Sequence, residues 1–293
     1  MAGASACHSP DPCTDDGEHA VPDAGTTGIP VVDLDALVNG AAEQRAQAVR
    51  DVGRACQDWG FFMHDMEGGQ PRGAGGSQRS VYGGVRGAVQ LTGGGEGGVP
   101  GGRADGARAR RLRLLRGRRR RPVLAGLLQD VRAIAHPELH CPATPAKLRE
   151  VATEYAATTR RLLLSLSTAV SEAMRLESCF QILVANRYPP YTAGPGLGLP
   201  EHSDHGFLTL LFQNGVDGLQ VHHGGRWLLA TPLPGAFFVI AGDQLEIVSN
   251  GRYKGVLHRA VVGGERARMS MVSMISPCLD TVVKPVPELA ADG

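Results

Sequence analysis

Residues 202–213 read His202-Ser203-Asp204-His205-Gly206-Phe207-Leu208-Thr209-Leu210-Leu211-Phe212-Gln213. An H-x-D pair opens the stretch. An apolar run short enough for a buried strand, Phe207 to Phe212, follows it. On a strand, residues two apart share a face, so the spacing predicts that the His202 and Asp204 side chains converge. By the same regularity His205 points to the opposite face from Asp204.

Working outward, the chain keeps this character from Phe180 onward. Gln181 to Ala185, Gly218 to Val221, Arg226 to Leu229, Ala236 to Ile240, Gln244 to Ser249, Gly255 to Ala260 and Met269 to Ile275 all read as short strands. The turns His223-Gly224-Gly225, Pro234-Gly235 and Asn250-Gly251 separate them. Strands of this length and spacing predict a mainly β architecture, a β-sandwich or jelly roll. His222 and His223 fall at a turn and are expected to be solvated. Phe207 and Ile275 suit either a pocket wall or the core.

Upstream, Ile29 to Leu34 reads as a strand with Pro30 at its entry. Ala48, Val49, Val52, Ala55 and Cys56 make one apolar stripe on a helix from about Ala41 to Trp59. Gly60 to Met63 reads as a buried strand. Thr144-Pro145 caps a second, long helix. Its face is predicted to carry Leu148, Val151, Tyr155, Leu162, Leu166 and Val170, and its end to lie near Leu176. The predicted organisation is a disordered tail over 1–27, an N-terminal region over 28–140, the long helix over 141–178 and the β domain over 179–283.

Charge and cysteine usage narrow the function classes. Residues 103–121 hold ten Arg and one acid, and without them the chain carries 20 basic and 28 acidic residues. The body is therefore mildly acidic and offers no electrostatic footprint for nucleic acid. Cys7, Cys13, Cys56, Cys141, Cys179 and Cys278 lack C-x-x-C spacing, which predicts free thiols in a reducing compartment. With no apolar leader and no apolar run of membrane-spanning length, a cytoplasmic protein is expected, acting as a monomer on a small molecule.

The chemistry centres on a third residue. His258 follows Asp204 by 54 positions. Two His and one carboxylate on one side of a metal leave coordination positions open, which is the facial triad of non-haem Fe(II) oxygenases. H-x-D alone is ordinary in proteins that bind no metal. Arg268-Met269-Ser270, about one hairpin after His258, sharpens the case. Arg presents a planar fork to a carboxylate and Ser adds a hydroxyl donor. That pair also argues against a cupin-type zinc or manganese site.

The order H-x-D, then H, then R-x-S resembles the plant-type Fe(II)/2-oxoglutarate-dependent dioxygenase family, which includes flavanone 3-hydroxylase-like, iron-ascorbate oxidoreductases. The family's N-x-Y-P-P segment has its counterpart in Asn186-Arg187-Tyr188-Pro189-Pro190. L-T-x-L-x-Q corresponds to Leu208 through Gln213, and G-L-Q-V to Gly218-Leu219-Gln220-Val221. G-D, S-N-G and H-R correspond to Gly242-Asp243, Ser249-Asn250-Gly251 and His258-Arg259. Upstream, Ile29 to Asp33 and Trp59 to Phe62 are also family-like.

The resemblance implies a double-stranded β-helix (jelly roll) with flanking N-terminal helices. It implies Fe(II) held by His202, Asp204 and His258, and the distal carboxylate of 2-oxoglutarate held by Arg268 and Ser270, with Asn186 and Tyr188 beside the same cosubstrate. It further implies O2 as oxidant, ascorbate in support, and release of succinate and CO2. The organic substrate would be a metabolite of flavonoid, phenolic or hormone type, hydroxylated or desaturated.

The stretch from about 64 to 129 departs from the family. It holds sixteen of the 40 Gly between Gly68 and Gly106, then the Arg run. A structureless stretch of this length inside a compact domain is anomalous. A basic linker, a nuclear address and an RNA-binding arm are available readings. The expectation adopted is translation out of frame. Shifted by one base, codons chosen for Arg118 to Gly126 yield Ala-Val-Asp-Gly-Pro-Tyr-Trp-Gln, similar to a family segment. The rival functional expectation is then a catalytically impaired product of a damaged dioxygenase gene, at most metal-binding.

Overall fold

The computed structural model describes residues 28–64, 126–132, 148–170, 179–278 (except 232, 234 and 235) and 280–286. The expectations for the 1–27 tail, for most of the Gly/Arg-rich stretch and for both ends of the long helix lie outside these residues.

The chain enters through helix α1 (Leu34–Asn39), where the Asp33 carboxylate accepts from the Asp35 and Ala36 amides at 2.9 and 3.3 Å. That cap satisfies two of the orphan donors of the first turn. It also explains why Ile29 to Leu34 is not a strand. Only Val31 bridges, in parallel, to Met63. Helix α2 (Ala42–Asp58) buries Ala48, Val52, Ala55 and Cys56, close to the predicted stripe. Burial pushes the Cys56 thiol up to about 12, so it is an inert core thiol. Strand β1 (Phe61–His64) follows immediately and is buried throughout.

Strand β2 (Gly126–Arg132) starts inside the stretch expected not to fold, pairing with β3 along that strand's free edge. Helix α3 (Leu148–Val170) buries Ala152, Tyr155, Ala156, Thr159, Leu163, Leu166, Ser167 and Val170. The predicted face is thus rotated slightly, with Leu163 replacing Leu162 at the core.

The remaining strands are β3 (Cys179–Tyr188), β4 (Tyr191–His202), β5 (Leu208–Gln213), β6 (Leu219–His223), β7 (Arg226–Leu229), β8 (Phe237–Ala241), β9 (His258–Gly264) and β10 (Arg268–Pro277). Helix α4 (Asp243–Val248) lies between β8 and β9. Among the described residues the strands form two antiparallel sheets, in the orders β1-β8-β5-β10-β3-β2 and β4-β9-β6-β7. This is the expected jelly roll with N-terminal helices.

Two strand assignments change. Gln244 to Ser249 is helical because Leu245 and Val248, three apart, are both buried while Ile247 points to solvent. Strand β9 begins only at His258, because the Gly255 amide donates to Glu246 Oε2 instead of to a neighbouring strand. Strand β4 was not anticipated. Its Pro195, Pro200 and three glycines read as loop, and its pairing with β9 is broken by irregularities.

Alternation along the larger sheet divides its residues between two cores. Leu208, Leu210 and Phe212 of β5, with Phe237 and Val239 of β8, pack on Val52, Tyr155, Leu163 and Leu166 of the helices. Leu211, Phe238, Ile240 and Val272 face the other way, against Leu219 and Val221 of the smaller sheet. Each such side chain contributes about 1.5–3 kcal/mol when fully buried. The helices thus seal one face of the large sheet and leave its other face to line the space between the sheets.

Candidate active site

Strand β4 delivers His202 at its last position and β9 delivers His258 at its first, as register partners. Their rings lie 4.3 Å apart between centroids. The H-x-D pair does not lie on one regular strand, as the spacing predicted. The strand ends at His202, and the bend after it brings Asp204 back toward both imidazoles. His202 Nε2 and His258 Nε2 lie 3.9 and 3.8 Å from Asp204 Oδ1. The three ligand atoms all fall within 4.8 Å of one another.

Each imidazole is oriented from behind. His202 Nδ1 lies 2.8 Å from the Pro200 carbonyl and His258 Nδ1 lies 3.1 Å from that of Val256. A carbonyl only accepts, so a neutral imidazole in either place carries its proton on Nδ1 and turns its Nε2 lone pair toward Asp204. Burial holds His258 below the ordinary histidine range, the Asp204 carboxylate opposes this, and His202 reinforces it. His258 is therefore the neutral imidazole that a metal requires. Asp204 Oδ2 is buried with no hydrogen-bond partner among the described residues. A buried carboxylate with one oxygen unpartnered, clustered with two imidazoles, is chemically matched to a cation.

The loop carrying Asp204 is fixed by the start of α4. The Asp243 amide donates to the Asp204 carbonyl at 2.7 Å and the Gln244 amide to Gly206 at 3.2 Å. A Cβ at position 242 would meet the Gly206 oxygen at 2.2 Å and that of Asp204 at 2.8 Å, so only glycine lets the two segments approach. His205, expected on the opposite face of a regular strand, instead lies beyond the end of β4, its ring almost fully exposed and its Nδ1 3.1 Å from Asp243 Oδ2.

Across the space between the sheets, β10 sits between β3 and β5. Its register places Arg268 opposite Tyr188, and Ser270 opposite both Asn186 and Gln213. All five face the same interior. Asn186 Nδ2 donates to Ser270 Oγ at 3.3 Å. The Arg268 guanidinium lies 5.0 Å from the Tyr188 ring centroid. Burial raises the Tyr188 phenol above its usual range, while Arg268 and hydrogen bonding to Arg268 and Ser270 pull it back. Arg268 is only 3% exposed, yet its Nη1, like Asn186 Oδ1, has no partner among the described residues. A buried guanidinium with an open edge, beside a hydroxyl and a phenol, is chemically matched to a carboxylate.

Other sequence expectations resolve differently. His222 and His223 belong to β6 rather than a turn. His223 stacks on Trp59 at 3.9 Å, and His222 meets Trp227 edge-on. Phe207 and Ile275 are core residues on the helix side of the sheet. Sequence reasoning gave no role to Gln213, which accepts from Arg268, or to Gly242-Asp243. Gln213 was findable, because it continues the Thr209 and Leu211 face of a strand bordering the R-x-S strand.

Residues 179–277, which contain every residue of this cluster, match the 2OG-Fe(II) oxygenase superfamily. The chain is also 53% identical over 291 residues to 2-oxoglutarate-dependent dioxygenase 19 of Oryza sativa subsp. japonica, covering 91% of this chain and 81% of that protein. The chain belongs to the 2OG-Fe(II) oxygenase superfamily. It is accordingly a 2-oxoglutarate-dependent dioxygenase that uses Fe(II) and 2-oxoglutarate.

Other relatives of this oxygenase are matched over less of their length. Flavonol synthase/flavanone 3-hydroxylase of Matthiola incana is 37% identical, over 52% of this chain and 55% of its own. The crystal structure of JOX2 in complex with 2OG, Fe and JA superposes with a TM-score of 0.65 and 26% identity, over 89% of the oxygenase and 78% of that chain. No helix among the described residues is long and apolar enough to cross a membrane.

Proposed function

We propose that His202, Asp204 and His258 hold the Fe(II) of this oxygenase, and that Arg268 and Ser270 bind the distal carboxylate of 2-oxoglutarate, with Asn186 and Tyr188 beside it. The observation that carries this assignment is the pairing of two unsatisfied groups. Asp204 Oδ2 on one side and Arg268 Nη1 on the other are both buried, of opposite charge and without partners among the described residues. A divalent cation and a dicarboxylate would complete them together.

Iron bound here would supply the redox chemistry that couples oxidative decarboxylation of 2-oxoglutarate, to succinate and CO2, with oxidation of a second organic molecule. The chain's own contribution is geometric and electrostatic. The carbonyls of Pro200 and Val256 orient each histidine so that its Nε2 faces Asp204. Arg268 fixes one end of the cosubstrate by charge, and Ser270 fixes its orientation. The apolar residues Leu211, Leu219, Val221 and Val272 between the sheets exclude water.

For the organic substrate, a small plant-type metabolite of flavonoid, phenolic or hormone kind is the reading favoured by relatives named for flavonoid chemistry. Hydroxylation and desaturation both suit this chemistry. The protein would act as a cytoplasmic monomer, with ascorbate as supporting reductant and no nucleic-acid partner. The test is succinate formation from 2-oxoglutarate, under air, across a panel of flavanones, phenolic acids and hormone-like carboxylic acids. One panel member should raise succinate formation well above the substrate-free rate and itself gain an oxygen or lose two hydrogens. A protein that binds iron and cosubstrate but turns over nothing would favour the impaired-enzyme alternative.

A further inference from the structure

The surroundings of Arg268 hold a device that the cosubstrate reading alone does not require. Gln213 Oε1 accepts from both Arg268 Nε, at 3.1 Å, and Nη2, at 2.6 Å. Gln213 Nε2 donates in turn to the Ala230 carbonyl at 3.4 Å, which fixes the oxygen end of the amide toward the guanidinium. The next residue grips the backbone on either side of Arg268. Asn214 Nδ2 donates to the Ala267 carbonyl at 3.0 Å, and its Oδ1 accepts from the Met269 amide at 2.9 Å. A backbone bond from Asn214 to Met269, at 3.1 Å, completes the grip. Gly218 makes room for the side chain, because a Cβ there would lie 2.7 Å from Arg268 Cδ.

The partner chosen for the guanidinium is neutral. A glutamate at 213 would offer the same acceptor geometry with a compensating charge. Among the described residues no carboxylate forms an ion pair with Arg268. Asp217, the acid that influences it, is exposed. An uncompensated buried cation is costly. Its retention here makes sense if the missing charge arrives with a ligand.

We propose that Gln213 and Asn214 form a neutral clasp that positions Arg268 and leaves its charge open for a dicarboxylate, which makes Gln213 a positioning residue for the cosubstrate. The clasp occupies the Nε–Nη2 edge of the guanidinium and directs the edge through Nη1 into the space between the sheets. An acid in this place would pre-empt the cosubstrate's carboxylate. This inference rests on the assignment of Arg268 as the 2-oxoglutarate anchor.

The test compares wild type with Gln213→Glu, Gln213→Met and Arg268→Ala. Each is loaded anaerobically with Fe(II) and titrated calorimetrically with 2-oxoglutarate, and each is melted without metal. Gln213→Glu should raise the 2-oxoglutarate Kd by about tenfold or more, since two carboxylates then compete for one guanidinium. It should leave the Fe(II) Kd unchanged and hold or raise the metal-free melting temperature. Gln213→Met should also weaken 2-oxoglutarate binding but lower that melting temperature, because it removes the anchor without supplying charge. Opposite stability shifts with the same direction of binding loss separate positioning from packing. If wild type binds 2-oxoglutarate and Gln213→Glu binds it equally well, the clasp is wrong while the Arg268 site stands. If Arg268→Ala binds as tightly as wild type, or if wild type does not bind at all, the anchor assignment falls and the clasp with it.

Discussion

His202 and His258 face each other across the β4–β9 pair as register partners, their ring centroids 4.3 Å apart. Residues 56 positions apart in the chain therefore meet through one rung of a ladder. Substituting either by Ala removes a proposed iron ligand but leaves the rung intact. His258→Ala is expected to weaken Fe(II) binding by more than about 100-fold, beyond the cost typical of groups behind the ligands. Equilibrium dialysis with Fe(II), alongside a circular dichroism melt showing an intact fold, checks this.

The pH dependence of the metal-free protein follows from His258, whose folded pKa is depressed, chiefly by burial. When pH falls through the ordinary histidine range, about 6.5, the unfolded chain takes up a proton that the folded chain refuses. Stability from this group is thus present above that range and is lost as pH falls below it. Denaturant midpoints of metal-free protein should be lower at pH 5 than at pH 7.5. The difference should shrink in His258→Asn. Protons should also compete with Fe(II), so affinity for the metal falls over the same interval.

Gly242, the N-cap of α4, lies against the Asp204 loop. Gly242→Ala would push a methyl into the Asp204 and Gly206 carbonyls. The loop must shift, and with it Asp204, the proposed carboxylate ligand. Fe(II) affinity is expected to drop by about 10- to 100-fold. If Fe(II) binding by Gly242→Ala matched wild type, the loop would not depend on this contact.

The helix layer is tied to the large sheet through a buried amide. Gln181 Nε2 donates to the Ala156 carbonyl at 3.1 Å, to Thr159 Oγ1 at 3.1 Å and to Ser273 Oγ at 2.6 Å. Gln181→Ala removes all three bonds and opens a cavity. It is expected to cost about 2–4 kcal/mol of stability, read from urea unfolding, with little change in metal affinity at 25 °C.

Much of this was legible beforehand, for physical reasons that differ by element. The α2 stripe and the buried runs of β5, β8 and β10 show a hydrophobic period strong enough to read directly. The residues proposed for the metal and the carboxylate could be singled out because few residue types perform that chemistry and their order is informative. Strand β4 was hidden because Gly and Pro, which usually end strands, here let a bulged edge turn toward β9. Helix α4 was mistaken for a strand because Ile247 and Val248 favour β structure, and only tertiary burial of Leu245 and Val248 decides otherwise. The bend that converges His202 and Asp204 was also invisible, since the H-x-D spacing predicts convergence on a straight strand as well.

Anaerobic addition of Fe(II) and then 2-oxoglutarate to the purified protein, followed by visible absorption, bears on the whole site at once. Chelation of iron by the cosubstrate gives a weak metal-to-ligand charge-transfer band. The assignment of His202, Asp204, His258 and Arg268 predicts that the band appears in wild type. It should be absent in His258→Ala and much reduced in Arg268→Ala at the same 2-oxoglutarate concentration. A folded, soluble wild-type protein that shows no band, or a band unchanged by both substitutions, would contradict it.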